Sequence, residues 1–166
     1  MLNPYAAWNP VAAMFIPNGF AGSAVVSASG PIAVVDNEYN SSSATLLSYS
    51  GFSTAPTTLY APELKTEAQQ SAALYIQNGG SQAATVQVTN SDNIGNTQLQ
   101  IPANSRGVVT YTAGSHNGTF GATISADQPI MALAASQYQD GRGSLFPAFE
   151  KAAKQYLFPL FVRGVQ

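Results

Sequence analysis

The stretch GATISADQPIMALAASQY, residues 121–138, decides the interpretation of this chain because residues 22–39, GSAVVSASGPIAVVDNEY, have much the same pattern. Tyr39 recurs 99 positions later as Tyr138, and LYAP at residues 59–62 has a weaker echo 97 positions later, YLFP at residues 156–159. Four more residues recur 98 positions later: Ser27, Ala28, Pro31 and Ile32 are matched by Ser125, Ala126, Pro129 and Ile130. Matches that keep nearly one spacing indicate a domain-sized internal repeat.

The repeat divides the chain into three segments. Residues 57–155 form one complete unit, of the size usual for a sandwich domain. Residues 1–56 match only the second half of such a unit, and residues 156–166 match only its first strand. We therefore expect one complete and one partial unit, with the chain starting inside one repeat and stopping just inside another.

Short alternating runs separated by turn residues predict antiparallel strands along most of the chain. Residues 84–89, ATVQVT, and residues 97–101, TQLQI, alternate apolar and polar side chains around the turn-rich loop SDNIGN, which predicts a hairpin with one face on a core. Strands about every ten residues predict an all-β fold, an antiparallel β-sandwich of immunoglobulin-like or jelly-roll type. Residues 63–73 and 149–155 could instead form short helices.

The pattern also predicts which strands are central and which side chains form the core. Pro62 lacks an amide donor, so its strand should lie at a sheet edge or carry a bulge. The apolar run at residues 130–135 lacks polar alternation and predicts a central strand buried on both faces. Ile124, Ile130 and Leu133 should therefore lie in the core of the complete unit. The corresponding core residues of the partial unit should be Val26, Ile32 and Val34.

Four longer phrases resemble the tandem immunoglobulin-like β-sandwich repeats of large secreted bacterial surface and adhesion proteins. They are GSAVVSASGPIAVVDNEYN, TTLYAPELK, ALYIQNGGSQAATVQVTN and GTFGATISADQPIMALAASQY. The resemblance implies an extracellular or cell-surface protein with a structural or adhesive role, and it provides no catalytic residues to transfer. This chain departs from that family in one respect: its repeat units are expected to be incomplete at both ends, whereas in the family whole repeats follow one another.

Composition narrows the possible partners. Charged residues make up only 8% of the 166 residues, and a net charge of −2 leaves little repulsion between copies. Six Lys and Arg against eight Asp and Glu form no basic stripe, so we expect no nucleic-acid partner. No apolar run is long enough to span a membrane. The absence of cysteine excludes disulfides, thiolate metal sites and a cysteine nucleophile.

No catalytic constellation is legible, and we predict neither an enzyme nor a cofactor or metal site. His116 is the only histidine, and the following Asn-Gly predicts that it lies exposed in a turn. Two clusters of oxygen-bearing side chains could bind Ca²⁺, but such residues also populate ordinary turns, which is the interpretation we favour. The clusters are Asp36, Asn37 and Glu38, and Asp92, Asn93 and Asn96.

Three further features bear on surface recognition. Asn40 and Asn117 begin the sequons NSS and NGT, which are candidate glycosylation sites in predicted loops. Trp8, with Tyr5 and Phe15, could form a sugar-stacking platform, although covering a core or a subunit contact is the more usual role of such aromatics. We therefore leave glycans as an open partner class.

The sequence-level hypothesis is an extracellular structural subunit that assembles head to tail into a filament or surface layer. The apolar segment near the C-terminus would leave its own chain and complete the partial unit of the next copy, since an exposed sheet edge templates strand addition. The alternative is an adhesin-type module that recognises glycan or protein through its loops. The proposed assembly strand consists of Tyr156, Leu157, Phe158, Leu160, Phe161 and Val162.

Overall fold

Ten antiparallel strands account for the regular structure of the chain, which a computed structural model describes at residues 3, 6–11, 14–17, 20, 22–40, 45–116, 118–151 and 153–155. Those residues include no α-helix, and hence none that could cross a membrane. The strands are β1 (Val35–Asn40), β2 (Thr45–Ser50), β3 (Thr58–Lys65), β4 (Gln70–Asn78), β5 (Ala84–Asn90), β6 (Thr97–Ile101), β7 (Arg106–Tyr111), β8 (Thr119–Ala126), β9 (Ile130–Tyr138) and β10 (Gly143–Pro147).

Strands β3 to β10 form two four-stranded antiparallel sheets, in the orders β3-β8-β5-β6 and β10-β9-β4-β7. Apart from the β5–β6 and β9–β10 hairpins, every connection among these strands crosses from one sheet to the other. The inner faces of both sheets share one core cluster, so the predicted all-β, antiparallel β-sandwich is confirmed. The largest fully buried apolar side chains are Leu59, Leu64, Leu74, Ile76, Val86, Val88, Ile101, Ile124 and Ile130.

The β5–β6 hairpin forms where the alternating pattern predicts it. Val86 pairs with Leu99 and Ala84 with Ile101, so both strands turn their apolar positions to the core. Leu99 is nevertheless only half-buried, because β6 is the outermost strand of its sheet. The prediction for Pro62 is also confirmed: β3 is an edge strand, and its register with β8 shifts between Ala61 and Leu64.

Strand β9 is central, as predicted, but it is not buried on both faces. Ile130 is fully buried and Met131 is half-buried, and this alternation continues along the strand. Leu133 therefore lies on the outer face, directly opposite Tyr75 of β4 and Pro147 of β10. The core prediction is correct for Ile124 and Ile130 and wrong for Leu133, because inward alanines hide the period-2 pattern of this run.

Neither predicted alternative helix is present. Residues 63–73 are divided between the end of β3, a turn and the start of β4. In the described part of residues 149–155, Phe149 forms an isolated antiparallel bridge with Tyr60, and the rest consists of bends and irregular backbone. Strands β1 and β2 pair with each other in a separate two-stranded sheet, and β2 lies beside β10 without joining its sheet. The backbone of residues 22–34 is in no strand.

Candidate functional site

The β1–β2 hairpin has the pairing of the β9–β10 hairpin. Val35 pairs with Ser50 in the first, and Leu133, 98 positions after Val35, pairs with Pro147, 97 positions after Ser50, in the second. In the sandwich, β9 has β10 on one side and β4 on the other. Strand β1 has β2 on one side only, within the described part of the chain. The edge of β1 that corresponds to the β4-facing edge of β9 is therefore open.

Equivalent positions of the two units differ sharply in burial. Ile124 and Ile130 are fully buried, whereas Val26 and Ile32, 98 positions earlier, are 54% and 51% exposed. Val34 is 37% exposed, although the corresponding Ala132 is 1% exposed. The expected core of the partial unit is thus wrong for the described part of the chain, in which no sheet packs over residues 22–34. The division of the chain into partial and complete units itself stays a prediction.

Exposed apolar side chains are concentrated in the first 46 residues. Soluble proteins seldom leave many large apolar side chains exposed together unless the surface contacts something else. We call the following set, taken from the described residues, the apolar N-terminal surface: Trp8, Val11, Met14, Phe15, Ile16, Phe20, Val25, Val26, Ile32, Val34, Val35 and Leu46.

The aromatic residues of this surface do not form the flat platform that sugar stacking uses. The rings of Trp8 and Phe15 are 6.0 Å apart and meet at 73°, an edge-to-face pair. Tyr5, the third aromatic residue considered for a platform, lies outside the described residues. This geometry favours packing against apolar side chains over parallel stacking on a sugar ring.

A small polar cluster borders the hairpin. Burial raises the pKa of Glu38, with the nearby carboxylate of Asp36 adding to the increase and Arg106 of β7 opposing it. Burial also raises the pKa of Tyr49, which hydrogen-bonds to Asp36. The interaction of Glu38 with Arg106 places the hairpin near the sandwich. Asp36, Asn37 and Glu38 lie within strand β1, so the turn interpretation is wrong for this cluster, whose side chains face the partner strand and Arg106.

His116 is buried, and the prediction that it is an exposed loop residue is wrong. Its side chain is 3% exposed, and its Nδ1 lies 2.6 Å from Oδ2 of Asp92. The ring stacks on Phe120 at 3.9 Å between centroids and meets Tyr111 edge-on. The hydrogen bond to His116 is the main reason that the pKa of Asp92 is below its usual value. The pair ties the β5–β6 loop to the β7–β8 loop.

Polar side chains of the β5–β6 loop form hydrogen bonds with backbone amides in or next to the loop. The Asn96 side-chain oxygen accepts a hydrogen bond from the Asn90 amide, and Oδ1 of Asp92 accepts one from the Ile94 amide. Asn93 adopts a left-handed conformation with φ of 60°, as turn residues of this type readily do. No group of three or more His, Asp or Glu side chains that could hold a metal occurs in the part of the chain described here. Turn chemistry explains residues 92–96.

Asn90 and Tyr111 complete this buried cluster. The Tyr111 hydroxyl donates a hydrogen bond of 2.9 Å to the side-chain oxygen of Asn90, and Asn90 Nδ2 donates one to the Ile94 carbonyl. Burial raises the pKa of Tyr111 to about 12. Hence the tyrosine is neutral and acts as a structural donor. His116, Asp92 and Tyr111 thus link the two loops to each other and to the end of β7.

An open groove of about 440 Å³ lies between β6 and β7, the edge strands at one side of the sandwich. Ile94, Leu99 and Val109 supply its apolar lining, and His116 and Tyr111 lie at one end. Apart from His116, the described residues that line the groove are uncharged.

Several predicted sites fall partly or wholly outside the description. Asn40 is the last residue of β1, rather than a loop residue, and the structure describes its backbone only. Asn117 lies outside the described residues, as does the entire proposed assembly strand: Tyr156, Leu157, Phe158, Leu160, Phe161 and Val162. The glycosylation and strand-donation hypotheses stay predictions.

Comparison with known proteins gives no family. No family model matches the chain, and no curated protein matches it. A Thermotoga maritima protein of known crystal structure is similar with 9% identity and a TM-score of 0.47, covering 60% of this chain and 97% of its own. The Anabaena sensory rhodopsin transducer is similar with 22% identity and a TM-score of 0.38, covering 49% and 97%. These TM-scores are too low to establish a shared fold.

Proposed function

We propose that the chain is a non-enzymatic structural subunit of the cell surface that assembles head to tail with other copies of itself. The observation that supports this proposal is the burial contrast between repeat-equivalent positions. Ile124 and Ile130 are fully buried in the sandwich, whereas Val26 and Ile32 are about half exposed. A surface with the pattern of a sheet interior needs a second layer, and another copy can supply it.

The energetic argument is moderate in size. Complete burial of a Val or Ile side chain stabilises by about 1.5–3 kcal/mol, so burying the exposed half of Val26 or Ile32 contributes about 1 kcal/mol each. Other exposed members of the apolar N-terminal surface add similar amounts, except Val25, whose counterpart Thr123 lies on the outer face of β8, and these gains oppose the cost of fixing two molecules together. Low charge helps, because only 8% of residues are charged and copies repel each other weakly.

The geometry of such a contact leads to a polymer. The donor and acceptor surfaces are different parts of the chain, so the contact is heterologous. A heterologous contact that does not close into a ring leaves one donor and one acceptor free at each end. Growth into a filament or a surface layer follows.

The proposal is tested by sedimentation velocity of the purified chain over a range of concentrations. The informative variant is Ile32→Asp, because the aspartate would be buried without a partner in the assembly but is solvated in the free chain. Val25→Asp is the matched control: Val25 is 78% exposed, and its counterpart Thr123 lies on the outer, half-buried face of β8.

We expect species heavier than the 17.3 kDa monomer for the unmodified chain and for Val25→Asp, and only monomer for Ile32→Asp. An unmodified chain that stays monomeric at every concentration contradicts the proposal and favours the binding-module alternative. Equal assembly of Ile32→Asp and the unmodified chain contradicts the role given to the repeat-equivalent core positions.

A further inference from the structure

The first strand of the sandwich shows how a single strand is added to this fold. β3 is an edge strand, and among the described strands it joins its sheet through β8 alone. Its inward side chains Leu59, Ala61 and Leu64 are at most 2% exposed, whereas the intervening Tyr60 is 42% exposed. β3 thus combines one ladder of hydrogen bonds to β8, and a single bridge from Tyr60 to Phe149 on its other edge, with three apolar side chains that insert into the core.

A proline is accommodated within this strand. The β3–β8 register shifts between Ala61 and Leu64, and Pro62 lies in the shifted part, where a missing amide donor breaks no regular ladder bond. Pro159 lies 97 positions after Pro62, in the YLFP echo of LYAP. A strand made from residues 156–162 can therefore take the place of β3 with its proline at the bulge.

The β3–β8 register also defines the acceptor. Leu59 is opposite Ile124 and Ala61 is opposite Ala122. The repeat-equivalent residues of Ile124 and Ala122 are Val26 and Ala24, 98 positions earlier, and both are exposed. Residues 22–28 are in no strand, so their backbone forms no sheet ladder that a donor strand would have to displace.

We infer that the donor segment, residues 156–162 of one copy, pairs antiparallel along residues 22–26 of the next copy in the β3–β8 register. Tyr156 then lies opposite Val26, and Phe158 lies opposite Ala24. The inference rests on the proposed function and adds to it the identity of the acceptor, the direction of the donor strand and its register.

The register assigns a face to five of the donor side chains. Tyr156, Phe158 and Phe161 correspond to the buried Leu59, Ala61 and Leu64 and point into the acceptor's core. Leu157 and Leu160 correspond to Tyr60 and Glu63, both exposed, and point outward. Apolar character alone would not separate these two groups, so the assignment is specific to the register.

Disulfide cross-linking tests the register directly, because the chain contains no cysteine of its own. Directly opposed residues of antiparallel strands have Cβ atoms about 4.5–5.5 Å apart, near the range that a disulfide spans after small adjustments. The test variant is the double substitution Tyr156→Cys with Val26→Cys. The matched control is Leu157→Cys with Val26→Cys, which shifts the donor thiol to the opposite face.

After mild oxidation we expect the test variant to give a ladder of covalent multimers on a non-reducing gel, and the control to give none. Multimers in sedimentation without a ladder, or equal ladders for both variants, overturn the register but leave the proposed assembly intact. A disulfide between positions 26 and 156 that is confined to monomers, as shown by mass spectrometry, means that the strand docks in its own chain and overturns donation between copies. If the unmodified chain is monomeric in sedimentation at every concentration, the proposed function itself is contradicted.

Discussion

Because Ile124 and Val26 are repeat-equivalent residues, the effect of truncating one on stability can be compared with the effect of truncating the other. Ile124 is fully buried at the centre of its sheet, opposite Leu59 on one side and Val88 on the other. Ile124→Ala removes apolar contacts and leaves a cavity, which should lower the free energy of unfolding by about 2–5 kcal/mol. Val26, its repeat equivalent, is 54% exposed, so Val26→Ala should cost less than about 0.5 kcal/mol in the monomer.

The assay is urea unfolding followed by far-ultraviolet circular dichroism, at a dilution where sedimentation shows only monomer. Both variants are compared with the unmodified chain at the same concentration, because assembly would otherwise add to the apparent stability. A loss below about 0.5 kcal/mol for Ile124→Ala refutes the assigned sheet register. Equal losses for both variants refute the claim that the N-terminal counterpart lacks an opposing layer.

Three further predictions concern the sandwich. Ile130→Ala should destabilise more than Leu133→Ala, because the first side chain is fully buried and the second half-buried on the outer face; equal urea midpoints would contradict this. Gly107→Ala should lower the thermal midpoint, because a Cβ would lie 2.7 Å from the Leu99 and Ile101 side chains; an unchanged midpoint would contradict it. Asp92 has a lowered pKa, so its stabilisation is present above the unfolded-state pKa and is lost as pH falls through the lower folded-state pKa. Asp92→Asn should flatten the acid side of the urea-midpoint profile, and an unchanged profile would contradict the link.

Local pattern was sufficient for most of the sandwich. The alternation of residues 84–89 and 97–101 predicted the β5–β6 hairpin, because a half-buried antiparallel pair imposes period 2 on its side chains. Pro62 predicted an edge strand or a bulge, since a missing amide donor is tolerated at either, and β3 has both. These features depend on residues close together in the chain, and the sequence contains that information.

The misassigned residues depend on contacts between distant parts of the chain. The size and apolar character of Leu133 predict a core position, but Ala132 and Ala134 are the inward residues, and Leu133 lies on the outer face. His116 lies beside an Asn-Gly turn signal. Its ring is nevertheless buried against Phe120 and hydrogen-bonded to Asp92, 24 residues away in the sequence. The available signal was an acid in the facing loop together with flanking aromatics, which is too general to have identified the pair.

The partial unit shows a different limit of sequence pattern. Residues 22–34 closely match residues of β8 and β9, yet they form no strand in this chain. A strand needs a partner for its backbone hydrogen bonds, and β8 and β9 have such partners in β3, β5 and β4. Repeating the side chains without the partners reproduces only the self-paired hairpin β1–β2.

The most direct test of the proposed assembly is sedimentation velocity of the chain with residues 156–166 deleted, alongside the unmodified chain. Both are measured at matched concentrations, and the urea unfolding of each dilute monomer is recorded as the control for folding. We expect the shortened chain to stay monomeric at concentrations at which the unmodified chain forms multimers. Its urea midpoint should equal that of the unmodified monomer. A shortened chain that forms the same multimers would contradict the donation of residues 156–162 between copies.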